Sequence, residues 1–259
     1  MTETVRSNDG TEIAFDCAGD GPALILVGGA FSERSAAGAL SAALAPRFTV
    51  YGYDRRGRGA SGDTPPYAVD REIEDLDALI TAAGGSARVF GVSSGAVLSL
   101  EAAARHLAIA KLAVYEPPYV VGDDRVRTSP DLADRLSEQI DAGRRGDAAR
   151  LFLVEAVEMP PDVVDMIQAG PGWPAMEAVA HTLRYDVAIV GDQSIPADRM
   201  AMIATPTLAL AGGASPEWAR NGVAALAAAI PGARHMTLDG QTHAVNPDIV
   251  APLLVDFLL

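Results

Sequence analysis

The chain of 259 residues has one cysteine, Cys17, and one lysine, Lys111. A single cysteine excludes an intrachain disulfide framework and a cysteine-rich zinc site. The scarcity of lysine leaves arginine to supply nearly all of the 20 basic residues, against 34 acidic ones, for a formal net charge of −14. That surplus repels phosphate backbones and anionic lipid, which argues against nucleic acid and membrane surfaces as partners. No apolar run reaches the ~18 residues of a membrane span. The opening Met-Thr-Glu-Thr-Val-Arg lacks the apolar stretch of a secretion signal. H-E-x-x-H is absent and the histidines are scattered, so no metal site is expected. What these absences leave is a soluble, acidic, cytoplasmic globular protein. Its length suggests one large domain or two small ones, enough to bury ~75% of the unfolded surface without staples.

Short β-like runs alternate with helical patterns over most of the chain. Ala23–Val27 is a continuous apolar run, as in a strand buried on both faces. Thr11–Cys17, Phe48–Tyr53, Ala87–Val92, Leu112–Tyr115, Pro206–Ala211 and Ala233–Leu238 also read as strands. Helices are expected over Asp70–Ala83, with Asp70 as N-cap, and over Gly95–His106, Pro216–Ile230 and Ile249–Leu258. This alternation implies βαβ units and a mostly parallel sheet with helices on both faces. Residues 120–204 break it: helical patterns at Leu132–Ala142, Asp147–Val157, Pro161–Gln168 and Ala175–Leu183 follow one another with no strand between them. They read as a helical insertion between two strands, in a sheet domain made of 1–119 and 205–259.

Gly91-Val92-Ser93-Ser94-Gly95 fits G-x-S-x-G. The string is weak alone and gains force from its place, after a buried strand and at the start of a helix. Its glycines let the backbone turn tightly while Ser93 stands clear as a nucleophile. The helix start aims the Ser94 N–H at an oxyanion. The plainer alternative makes Ser93 a helix cap. A second oxyanion donor is expected from the loop after an earlier buried strand, where Val27-Gly28-Gly29-Ala30-Phe31 offers the Gly29 N–H. Gly57-Arg58-Gly59-Ala60-Ser61-Gly62 matches a dinucleotide fingerprint, but Asp63-Thr64-Pro65-Pro66 follows where a helix is required. No cofactor is therefore expected.

With these motifs the chain resembles the α/β-hydrolase-fold superfamily, in the branch of capped esterases, haloperoxidases and epoxide-hydrolase-like enzymes. The marks are Val27-Gly28-Gly29, the run from Asp54 to Ser61, Gly91 to Gly95, and a late Gln241-Thr242-His243. The likeness spans essentially the whole chain. It implies an α/β fold with a mostly parallel eight-stranded sheet and a helical cap over the site. It also implies that Asp54 and the arginines after it pair inside the fold. The family's first loop usually begins with His; Val27 stands there. Of four histidines, His243 follows the last strand, and the family order Ser, acid, His makes it the general base. His106 ends a helix, His235 lies in a strand pattern, and His181 sits in the insertion.

The acid departs from the family pattern. Its usual place is a Gly-x-x-Asp-Pro turn, which here reads Gly212-Gly213-Ala214-Ser215-Pro216. Some members carry the acid one strand earlier, a position occupied by Glu116 in Tyr115-Glu116-Pro117-Pro118, on the edge that bears Ser93. Glu116 is the leading candidate. Asp239 and a Ser–His dyad assisted by Ser215 are the alternatives. Phe31, Met159, Trp173 and His181 are the candidate substrate contacts of an apolar pocket. The implied activity is a serine hydrolase that acts through an acyl-enzyme on a small to medium hydrophobic ester, thioester or lactone. Perhydrolase or haloperoxidase-like chemistry on the same residues is one alternative; a ligand-binding protein that kept the fold is another.

Overall fold

The computed structural model describes residues 2–123 and 125–259. Its strands are β1 (Glu3–Arg6), β2 (Glu12–Ala18), β3 (Ala23–Val27), β4 (Thr49–Tyr53), β5 (Ala87–Val92), β6 (Ile109–Tyr115), β7 (Thr207–Gly212) and β8 (Arg234–Leu238). They form one eight-stranded sheet in the order β1-β2-β4-β3-β5-β6-β7-β8. β2 pairs antiparallel with β1 and β4; every pairing from β4 through β8 is parallel.

Side chains alternate across a strand, so each central strand feeds two cores. Leu24, Phe90, Ala113 and Leu208 pack on one face with Leu40 and Leu44 of α1 (Gly38–Leu44) and Leu254 of α11 (Pro247–Leu258). Ile25, Val89, Leu112 and Ala209 pack on the other. There they meet Leu76 of α2 (Val69–Ala82), Leu100 of α3 (Ser94–Ala104) and Val223 of α10 (Glu217–Ala229). Among the described residues no helix is long and apolar enough to cross a membrane.

Among the strands and α-helices outside residues 120–204, two escaped the sequence pattern. β1 is a polar edge strand with no buried residue, and α1 is a short Ala-rich helix without a side-chain cap. Asp70 is not the N-cap of α2. Ala68 holds that position, and Asp70 lies in the first turn, where its charge suits the positive helix end.

The segment between β6 and β7 is helical: α4 (Leu132–Asp141), α5 (Arg145–Glu155), α6 (Pro161–Gln168), α7 (Trp173–Val179), α8 (Leu183–Val190) and α9 (Ala197–Met200). The single pattern expected over Ala175–Leu183 resolves into α7, a 3-10 turn at Ala180–Thr182, and the start of α8. Leu132, Leu136, Phe152, Trp173 and Leu183 make a separate apolar cluster. Phe31, from the loop after β3, packs edge-on against Phe152 with ring centres 5.6 Å apart.

The turn after β4 is built from buried ion pairs. Asp54 accepts from the N–H groups of Arg34 at 2.7 Å and Ala60 at 2.9 Å. Arg55 makes a two-pronged contact with Glu72 at 2.7 and 2.8 Å, and Arg56 does the same with Asp75 at 2.8 and 2.7 Å. Arg55 and Arg58 then share Asp186 of α8, at 2.8 and 2.7 Å. The arginines of this turn thus pair inside the fold, and they tie the helical segment to the sheet.

Candidate active site

Parallel strands present their carboxyl ends along one edge, which is where ligands collect in open α/β sheets. Ser93 sits there, between β5 and α3, with φ 55° and ψ −125°. A residue with a Cβ pays about 1–3 kcal/mol for such a backbone, which persists only where its surroundings enforce it. The flanking glycines do so. A Cβ on Gly91 would lie 2.5 Å from Ser99 Oγ, and one on Gly95 would lie 2.4 Å from Val27 O and 2.5 Å from Gly28 O. Only glycine lets α3 start this close to β3 and β5.

Glu116 follows β6, also at positive φ (45°). Its buried carboxylate accepts the Gly212 N–H at Oε1, 2.7 Å, and meets His243 Nδ1 at Oε2, 2.6 Å. Burial pushes the Glu116 carboxyl up; His243, Ser215 and the Gly212 N–H outweigh it and hold the group below the usual carboxylate range. The buried Ser215 hydroxyl contributes by proximity, without full hydrogen-bond alignment. Ser215 thus stands beside the carboxylate that occupies the neighbouring strand end. Asp239 is exposed and lines no part of the site.

His243 lies on the loop after β8. The Tyr115 hydroxyl donates to Thr242 O at 2.6 Å, and Ala214 N–H donates to Gln241 O at 2.8 Å. Tyr115 O in turn accepts the Ser93 N–H at 2.9 Å. The His243 side chain is 56% exposed while that of Glu116 is 2% exposed. One ring nitrogen is therefore fixed by carboxylate and the rest of the ring is open. Ser93, Glu116 and His243 all line one cavity of about 770 Å³. Among the described residues no hydrogen bond joins Ser93 Oγ to His243.

Residues 24–253 match the model of the alpha/beta hydrolase family. The chain belongs to that family. An alpha/beta hydrolase from Sphaerobacter thermophilus of known crystal structure is 57% identical, with 99% of this chain and 100% of that one covered and a TM-score of 0.95. A hydrolase from Pseudomonas aeruginosa is 26% identical over 99% of this chain and 98% of its own, with a TM-score of 0.79. The enol-lactonase from Burkholderia xenovorans is 25% identical over 99% of both chains, with a TM-score of 0.74. The Bacillus subtilis hydrolase YraK is 34% identical over 101 residues, which is 38% of this chain and 37% of YraK. The protein is thus an enzyme, a hydrolase of the alpha/beta family.

In this hydrolase Gly29 lies against Ser93: a Cβ on Gly29 would be 2.9 Å from Ser93 Cβ and 3.1 Å from Val92 O. Gly29 O accepts from Arg58 at 2.6 Å, and the Ser94 hydroxyl donates to Asp186 at 2.7 Å. Phe31 and Met159 line the cavity, with Leu153, Met176 and Val187 among its apolar walls. Two expected contacts do not. Trp173 is 6% exposed inside the cluster of the helical segment, where its indole N–H donates to Glu177 at 2.8 Å. His181 lies on the 3-10 turn outside the cavity; burial, then Arg145, push its ring below the ordinary histidine value. Helical periodicity identifies which residues are apolar but not which way a helix is rotated over the sheet.

Sequence reasoning also missed Arg125, Gln193 and Trp218, all on the cavity wall. Trp218 carried a signal, an aromatic two residues past Pro216 in the first turn of a helix at the sheet edge. Arg125 carried none, since it lies in an irregular stretch between β6 and α4.

Proposed function

We propose that the hydrolase cleaves small to medium hydrophobic carboxylic esters, thioesters or lactones through an acyl-enzyme on Ser93. The observation that carries this reading is the 2.6 Å contact of His243 Nδ1 with Glu116 in the cavity that also holds the strained Ser93. Glu116 stays ionised at neutral pH because its pKa is held down. It accepts a hydrogen bond from Nδ1–H and so leaves Nε2 free to take the Ser93 proton. The Ser93 oxygen attacks the carbonyl, and Glu116 stabilises the imidazolium that results. His243 then returns the proton to the leaving group, and water releases the acid by the same steps in reverse roles.

The developing oxyanion meets the N–H groups of Gly29 and Ser94, neither of which has an acceptor among the described residues. In this reading residues 120–204 act as a cap on the sheet domain of 1–119 and 205–259. The cap's apolar side chains at the cavity favour a hydrophobic acyl or alcohol group.

A fluorophosphonate probe should label Ser93 in the folded protein. Glu116→Gln should lower kcat/KM for p-nitrophenyl acetate by roughly 10²–10⁴ with the fold intact. No adduct on Ser93 would overturn the reading in favour of a ligand-binding protein. Undiminished hydrolysis by Glu116→Gln would remove Glu116 from it.

A further inference from the structure

We propose that Arg125 forms a carboxylate-binding subsite in the cavity, so that the preferred substrate carries a free carboxylate besides the carbonyl that Ser93 attacks. The reaction in this statement rests on the serine-hydrolase reading; the binding of a carboxylate does not.

The Arg125 side chain is 2% exposed, yet it forms part of the cavity wall. Its guanidinium stacks over Trp218, 4.3 Å from the ring centre, which fixes the plane of the fork. Nη2 donates to Ala156 O at 2.7 Å. Nε lies 2.9 Å from Glu158 Oε2, an ion pair without hydrogen-bond alignment. A guanidinium has five N–H donors, and among the described residues Nη1 meets no acceptor. Glu158 is 45% exposed, so water screens its charge.

The other buried arginines are treated differently. Arg55 and Arg56 each hold a two-pronged contact with a buried carboxylate, and both are pushed above the ordinary value despite burial. Burial pushes Arg125 below that value, with Glu158 opposing it only in part. A buried charge short of partners is destabilising. The fold tolerates this at a cavity wall, where a ligand can complete the set.

Another polar group of the cavity suits the same ligand. Gln193 Oε1 accepts from the N–H of Thr128 at 2.7 Å and from its hydroxyl at 2.9 Å. That leaves the Gln193 amide N–H₂ without an acceptor among the described residues, on a residue that lines the same cavity. Gln193 and Glu158 both hold left-handed backbone, φ 62° and 60°. Such conformations cluster at ligand sites. A planar carboxylate accepts two parallel N–H bonds from an arginine fork. A single negative charge also matches one partly neutralised guanidinium. A dianion would face Glu116 and Asp186, which line the cavity too. With a net charge of −14 the molecule does not attract anions as a whole, so recognition has to be local.

The test compares p-nitrophenyl hemiglutarate with its neutral methyl ester. The wild type should prefer the free acid by about tenfold or more in kcat/KM, the worth of a charge-assisted hydrogen bond. Arg125→Gln should bring that ratio to about one, chiefly through KM, and Arg125→Lys should retain part of it. A merely structural Arg125 would move both substrates together and leave the ratio unchanged, which would overturn the proposal. Calorimetric titration with the monoanion glutaramate and with the neutral diamide glutaramide reads the subsite without catalysis. Glutaramate binding that is lost in Arg125→Gln, with no ester turned over, would sink the hydrolase mechanism and sustain the subsite. Equal affinity for glutaramate and the diamide, or binding of neither, would sink the subsite.

Discussion

The Ser94 hydroxyl donates to the Asp186 carboxylate at 2.7 Å across 92 positions of sequence. Ser94 directly follows Ser93, and Asp186 belongs to α8 of the helical segment. The same carboxylate takes Arg55 and Arg58, and Arg58 reaches on to Gly29 O. Two arms of the site, the loop after β3 and the start of α3, therefore converge on one buried acid.

Replacing Asp186 by Asn keeps the shape and removes the charge. Arg58 would then lack any carboxylate partner among the described residues. Breaking a buried pair from one side costs about 3–5 kcal/mol. Asp186→Asn should lose that much stability in urea unfolding. A loss under about 1 kcal/mol would mean that the arginines find other partners on relaxation.

The same acid sets a pH response. Burial raises the Asp186 carboxyl, but Arg58, Arg55 and Ser94 lower it more, so its folded-state pKa is depressed, as is that of Glu116. A depressed carboxyl stabilises the fold above its unfolded pKa and withdraws that stability as pH falls through its folded value. The urea midpoint should therefore hold through neutral pH and fall below about pH 4, the unfolded carboxyl range. Asp186→Asn should show a shallower acid fall. An acid limb of unchanged steepness in that variant would assign the response to other carboxyls.

At Ser93 the positive φ is a strain that glycine does not feel. Ser93→Gly should be more stable than Ser93→Ala by about 1 kcal/mol, and both should abolish probe labelling. Melting temperatures separated by a few degrees would register it in a chain of this size. Equal stabilities would show that the surroundings, not the backbone, carry the cost.

Gly29→Ala places a methyl 2.9 Å from Ser93 Cβ. The loop after β3 has to retreat, at about 1–3 kcal/mol of stability. If Gly29 is an oxyanion donor, kcat should fall by about 10² or more. A stability loss with kcat intact would assign the oxyanion contact elsewhere.

The parts legible in the sequence are those where one physical requirement dominates. The bounds expected for Ala23–Val27 and Ala87–Val92 match the strands, since burial on both faces leaves apolar residues little alternative. Ser93 was legible because strand, glycine and helix coincide there. Glu116 rests on the family resemblance, which allows the acid one strand earlier than the turn that holds Ser215; the structure puts its carboxylate beside His243. Trp173 and His181 were misread because an amphipathic pattern gives no rotation angle. Arg125 and Asp186 were missed because a lone charge acquires meaning only from what the fold brings to it.

Tyr115 holds two of these contacts and precedes Glu116 in the chain. Its carbonyl accepts the Ser93 N–H, and its hydroxyl donates to Thr242 O beside His243. The proposed reacting groups therefore share a single point of reference on a buried strand. Met159, Met176 and Val187, which line the cavity from the helical segment, take no part in these contacts. Substitutions there can change what the cavity accepts without disturbing the spacing of those groups, which leaves such a scaffold free to change its ligand without rebuilding its chemistry.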